Sequence, residues 1–225
     1  MNRTFAFIIL AVFLLPSCNS TPPTGGGKTI SVQYTAASIP WLAGLYDCAG
    51  ANIVTAEQRA ARLLDLQSVD LALRIGQPEA LTSPAYQISS EEVLVIVNTQ
   101  NPVNLLTTEE ARGLFSGQIL NWQEVNGSNA PVEVWTFASG EDIQQIFEQT
   151  ALGGSPVTST ARLAAGPYEM AQAITNNVHA VGILTRHWIT GNVSEVYKVA
   201  SVPVLALTAG EPKGAAQELL ACLQK

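Results

Sequence analysis

Histidine occurs only twice, as His179 and His187, and cysteine only three times. No Cys or His stands at metal-ligand spacing, so a structural zinc site has no support. Neither histidine belongs to a recognisable triad or metal motif, and a hydrolase would need an activated nucleophile with a base. No catalysis, metal or cofactor is therefore expected. Charge is scarce as well, at 13% of residues and a net -7, with no basic run anywhere; that balance argues against nucleic acid as a partner. A single long apolar run exists, residues 5–15, and it falls well short of the roughly 20 residues a membrane-spanning helix needs.

What that run does fit is export. Residues 1–17 have a short polar start with Arg3, the apolar stretch, and a small residue before Cys18, which is the layout of a signal peptide. Leu15-Pro16-Ser17-Cys18 resembles a bacterial lipobox, in which the chain is cut before a cysteine that carries a diacylglycerol. The alternative is an ordinary signal peptide with an incidental cysteine. Residues 18–28 are rich in Asn, Ser, Thr, Pro and Gly, the composition of a tether. The expected location is extracytoplasmic, lipid-anchored to the bacterial cell membrane. Outside the cytoplasm the two remaining cysteines, Cys48 and Cys222, form either a disulfide tying the chain ends together or two buried free thiols.

Residues 30–34 read as a strand, and Ser38-Ile39-Pro40 as a helix start with Ser as N-cap and Pro just inside. Thr55-Ala56-Glu57-Gln58 has the form of a capping box opening a helix over 55–66, and 69–75 is a strand too apolar to be exposed on either face. A further strand covers 92–97. Thr107 to Glu110 cap the next helix, Gly117 stands where a helix would end in a left-handed residue, and 132–136 is the following strand. Ser139 to Asp142 open a helix over 139–150. Another helix covers 167–176, then come strands over 180–185 and 202–208 and a last helix over 212–223. Near-continuous apolar strands alternating with amphipathic helices indicate an α/β chain with a mostly parallel sheet covered on both faces.

The stretch 93–147 carries several motifs in order. An apolar strand leaves into Asn101-Pro102, a helix ends in Phe115-Ser116-Gly117, Asn121-Trp122 follows, and after the next strand Ser139-Gly140 leads a helix. This series resembles the phosphate-type extracytoplasmic solute-binding proteins of ABC importers. The resemblance implies a two-lobed, type II periplasmic-binding-protein-like fold, each lobe a mostly parallel sheet flanked by helices. The strand over 92–97 carries the chain out of the first lobe, and the one holding Gly182-Ile183 carries it back. The lobes are then 29–96 plus 186–225 and 97–185. Phe115, Gly117 and Trp122 identify the fold and serve helix termination and packing.

A monomeric receptor that closes over a small anionic ligand and hands it to an ABC permease is what the resemblance implies. Anions suit helix N-termini that face a shared cleft, and the loops concerned hold Thr35, Ala36, Ser38, Arg74, Ser139, Gly140 and Glu141. Thr35, Ser38, Ser139 and Gly140 match the family by type and placement. The family's Arg, Asp and Thr positions become Trp135, Phe137 and Glu141. Losing the Arg removes a bidentate oxyanion clamp, and a carboxylate repels a divalent anion. Glu141 and Asp142 are also what a helix first turn favours, with Asp142 completing a cap with Ser139. Arg74 serves either the ligand or an ion pair with Glu141. Trp135 and Phe137 share a strand face by alternation and either line the cleft or turn inward; Trp41 is open in the same way. The alternative function is a diverged sensor or accessory lipoprotein that has lost phosphate binding.

Overall fold

A computed structural model describes residues 27–225; the expected leader over 1–17, Cys18 and nearly all of the tether over 18–28 lie outside the described residues. The strands are β1 (Thr29–Tyr34), β2 (Ile53–Gln58), β3 (Leu71–Ile75), β4 (Ala85–Asn98), β5 (Glu133–Thr136), β6 (Arg162–Leu163), β7 (Ala180–Thr185) and β8 (Val193–Leu207). They form one eight-stranded sheet in the order β2-β1-β3-β8-β4-β7-β5-β6. Every residue of β3 and β7 is buried, as suits mainly apolar strands covered on both faces, with Arg74 and Thr185 as their polar members. Parallel pairing joins β1 to β2 and β3, and β5 to β6 and β7. The central ladders, β3 with β8, β8 with β4 and β4 with β7, are antiparallel.

Two large cores and a small cluster of Ala72, Leu205 and Leu207 pack about the sheet. On the first side α1 (Leu42–Ala49) and α5 (Ala215–Leu223) bring Leu45, Leu219 and Leu220 against Ile30, Leu71 and Leu73. Cys48 and Cys222 are bridged across these two helices, with Cα atoms 5.7 Å apart, so the disulfide alternative is the one the fold adopts. The second core surrounds Phe115, Trp122 and Phe147, under α2 (Thr108–Ser116), α3 (Asp142–Phe147) and α4 (Pro167–Asn176). The Thr107/Glu110 capping box forms, and Gly117 ends α2 in the left-handed region at φ 75°.

Four expectations change. Residues 55–58 are not a helix start but the end of β2, laid parallel along β1 so that Tyr34 pairs with Gln58; the run Ile53-Val54-Thr55 is β-branched and suits a pleated edge. Only a single 3-10 turn, Ala61–Leu63, follows. Ser38 is no N-cap but lies inside the 3-10 helix Ala36–Trp41. Ser139 and Asp142 form no capping box, since the N-cap of α3 is Glu141 and makes no side-chain bond. Last, β7 does not carry the chain back alone. It ends with Thr185 beside Val93, and the chain doubles back so that Val193 starts β8 beside Asn98. β8 then runs the full length of β4 to Leu207, which pairs with both Ala85 and Ala72, so β4 and β8 together span the two halves.

Candidate functional site

The seam between the halves is built where β1, β3 and the loop before α3 end. Thr35 follows β1, and its N–H donates to Leu73 O at 3.1 Å. Ile75 closes β3, and Gly76 turns the chain away at φ 70°, a backbone conformation that favours glycine. From the other half Asp142, the first residue of α3, reaches across. Its Oδ2 accepts from the Thr35 hydroxyl at 2.6 Å and from the Ile75 N–H at 2.9 Å, and its Oδ1 accepts from the Ile143 N–H at 2.9 Å. Both Thr35 and Asp142 are fully buried. Burial pushes the Asp142 carboxyl above the ordinary aspartate value, while the Thr35 hydroxyl, the Ile75 N–H, the Arg74 charge and the Ile143 N–H pull it back.

Arg74 is 5% exposed. Burial lowers its pKa, opposed by the Asp142 charge. Its hydrogen bonds are long, 3.4 Å to Ile75 O and 3.4 Å to Gln145 Oε1. A guanidinium carries five N–H donors, so much of its donor capacity is unspent. Arg74 lines a cavity of about 410 Å3 together with Arg62, Glu79, Ser139, Gln145 and Glu148, drawn from both halves. Two cations and two carboxylates therefore surround this space. The Arg62 N–H donates to Gly140 O at 3.2 Å. The Arg62 side chain lies over Gly140, where a Cβ would stand 2.6 Å from its Cδ.

The deeper part of the seam is shut. Ala36, Ala37, Phe137, Glu141, Asp142 and Ile143 enclose about 10 Å3, close to the minimum that holds one water. A further bond crosses between the halves, Gln149 Nε2 donating to Glu79 Oε1 at 3.0 Å, and beside the seam Trp188 Nε1 donates to Ala37 O at 3.3 Å.

The structure gathers the seven residues expected at the cleft around this one seam, in different roles. Thr35 spends its hydroxyl on Asp142. Ser38 donates to Thr35 O at 2.9 Å and holds the turn. Ala36 and Glu141 face the narrow space, whereas Ser139 and Arg74 face the cavity. Arg74 does not pair with Glu141: its charge is felt by Asp142, while Glu141, raised by burial and then by Asp142, is opposed by Arg62. Trp135 and Phe137 part company because β5 ends at Thr136. Trp135 Nε1 donates to Glu133 at 2.8 Å beneath Arg162, and Phe137 is buried. Trp41 packs against the core and the His187 ring, 4.7 Å between centroids.

Sequence reasoning missed Asp142 and Arg62 as cleft residues. A signal for Asp142 exists: it lies four residues before Ile146 on the helix face that Ile143 and Phe147 bury, so its carboxylate points inward. Among the described residues no group of three or more His, Cys, Asp or Glu is placed to hold a metal, and no helix is long and apolar enough to cross a membrane.

Known proteins share this architecture. A phosphate ABC transporter substrate-binding protein from Clostridium perfringens, solved with bound phosphate, superposes with a TM-score of 0.77 at 18% identity, over 87% of this chain and 93% of that one. An ABC-type phosphate transport receptor from Vibrio cholerae gives 0.68 at 22% identity, over 87% and 93%. The regulatory domain of CcmR from Synechocystis PCC6803, in complex with 2-PG, gives 0.63 at 13% identity, over 88% and 96%. At such identities the likeness speaks to fold alone, and the fold serves both transport receptors and regulators. Residues 85–219, more than half the chain, match the family described as PBP superfamily domain, and the chain belongs to that superfamily.

Proposed function

We propose that the protein is a membrane-anchored solute-binding lipoprotein, similar to the phosphate-binding component of an ABC importer, that captures a small ligand between two lobes. It works outside the cytoplasm as a monomer, held by lipid on Cys18 and a tether over 18–28, and presents its ligand to a permease without chemical conversion. The lobes are 29–96 plus 186–225 and 97–185, with Val193 and Ser194 of β8 pairing with Asn98 and Val97, where β4 enters the second lobe.

The observation that carries this reading is Arg74, a nearly buried guanidinium with unspent donors on a cavity between the halves. Its volume falls within the roughly 300–1,000 Å3 of small-molecule sites. The cations there suit a carboxylate, and Glu79 and Glu148 suit an ammonium group, so the favoured ligand is a small carboxylate or zwitterion. Calorimetry of the mature protein against amino acids, small carboxylates, phosphate and sulfate tests it. At least one carboxylate should bind with micromolar affinity, and Arg74→Met should weaken it at least about tenfold, roughly the 1.5–3 kcal/mol of a charge-assisted bond. Binding untouched by Arg74→Met would place the site elsewhere.

A second reading, a sensor or accessory lipoprotein without an importer, rests on the Asp142 carboxylate standing among the seam's donors. Neighbouring genes for a permease and an ATPase would argue against it.

A further inference from the structure

The donors that meet at Asp142 come from both halves. The Thr35 hydroxyl and the Ile75 N–H belong to the first, and the Ile143 N–H to the second. With a guanidinium nearby, this is the kind of donor set that holds a dehydrated oxyanion. Here all three donors go to a carboxylate of the chain itself. Asp142 is fully buried, and the space beside it is about the size of one water. Nothing of the size of phosphate fits while that side chain is in place.

We propose that Asp142 is a built-in occupant of the interlobe anion cradle, which holds the two halves closed on each other and bars phosphate and sulfate from that position. Its carboxylate supplies the negative charge that Arg74 would otherwise find in a ligand, and the donors are satisfied without one. A helix cap does not explain the arrangement. Only the Ile143 N–H bond is local to α3, whereas the other two cross the seam to residues 107 and 67 positions away. Neighbouring contacts agree with a closed seam: Arg62 N–H bonds Gly140 O at 3.2 Å, and a Cβ at Gly76 would stand 2.8 Å from Ile146 Cδ1. A divalent oxyanion arriving beside an ionised Asp142 would also be repelled at short range in a dry site. Asp142 therefore determines specificity by exclusion, whether or not the adjoining cavity holds a solute.

The test is phosphate and sulfate calorimetry on the full mature chain and on Asp142→Gly and Asp142→Asn. Asp142→Gly frees both the donors and the space, and should bind phosphate or sulfate at least about a hundredfold more tightly than wild type, a change of roughly 2.7 kcal/mol. Asp142→Asn keeps the bulk and should gain much less. A folded Asp142→Gly that binds both anions no better than wild type overturns the proposal. Should Asp142→Gly fail to fold, backbone amide NMR of the wild type decides instead. The Ile75 and Ile143 resonances should stay put when phosphate is added to tens of millimolar, and saturable shifts of both would overturn the proposal.

Discussion

Replacing Thr35 by valine keeps the shape of the side chain and removes only the hydroxyl that donates to Asp142 at 2.6 Å. Hydrogen bonds to charged groups contribute about 1.5–3 kcal/mol, and loss of one partner from a buried group costs a similar amount. The added methyl returns part of this through burial, so a net loss of about 2 kcal/mol is expected near neutral pH. For a domain of this size that corresponds to a fall in Tm of about 4–8 °C. The loss should depend on pH. Because burial raises the Asp142 carboxyl above its ordinary value, the folded protein holds that proton more tightly than the unfolded chain does. The group's stabilising contribution is complete below the unfolded pKa and disappears as pH rises through the raised folded one. Thr35 donates to the ionised form, so the penalty of Thr35→Val should be small in acid and grow with pH across that window. Urea unfolding of wild type and variant at about pH 4 and about pH 8, with the disulfide intact in both, measures the difference, about 1 kcal/mol rising to about 2. Equal penalties at both values, or a penalty under about 0.5 kcal/mol at the higher one, would refute an ionised Asp142 held by Thr35.

Removing the bridge by Cys48→Ser and Cys222→Ser should cost about 2–5 kcal/mol, since it closes a long loop in the unfolded chain, and reductant should lower the wild-type Tm but leave the double variant unchanged. The wild-type domain, unfolded without reductant, should show neither Cys48 nor Cys222 as a titratable thiol; finding both would contradict the bridge. Cys18→Ala should move the protein from the membrane fraction to the soluble one with the same Tm, and retention on the membrane would end the lipid assignment.

The elements most plainly written in the sequence are those whose local signals agree with their burial. The helix over 167–176 and the strand over 180–185 occur at the bounds their patterns indicate, and the Thr107/Glu110 box and Gly117 delimit α2 as expected. Where signals conflict, tertiary pairing decides. Thr55 to Gln58 spell a capping box, yet the free edge of β1 takes them as a strand. The first half of β8 was invisible for a different reason. Val193, Val196 and Val199 are the buried residues there, a spacing of three that fits no regular strand. The ladder with β4 is interrupted by register shifts between Val93 and Leu94 and between Val95 and Ile96. Those shifts leave Val196 and Val199 as the extra residues of the strand, turned inward by the bulges. At the seam the loops bearing Thr35 and Ser139 were legible from their places after strands, while Arg74, expected in a loop, lies within the end of β3 and pairs with Leu205. The partner of Thr35 was not, because an acidic residue in a helix first turn has a sufficient local explanation and only the pairing of distant loops reveals another.

Cys48 and Cys222 lie 174 residues apart in sequence. In mechanical terms the bridge closes residues 48–222 into a ring. A pull applied between the amino and carboxyl ends travels through β1, into α1, across the sulfur atoms and out at the end of α5. The segment from Ala49 to Ala221, which holds Arg74 and Asp142, lies off that path, whereas Thr35, the hydroxyl donor to Asp142, lies on it. A pull on the ends therefore bypasses Arg74 and Asp142 along the chain, and reduction of one bond would put them in series with the force.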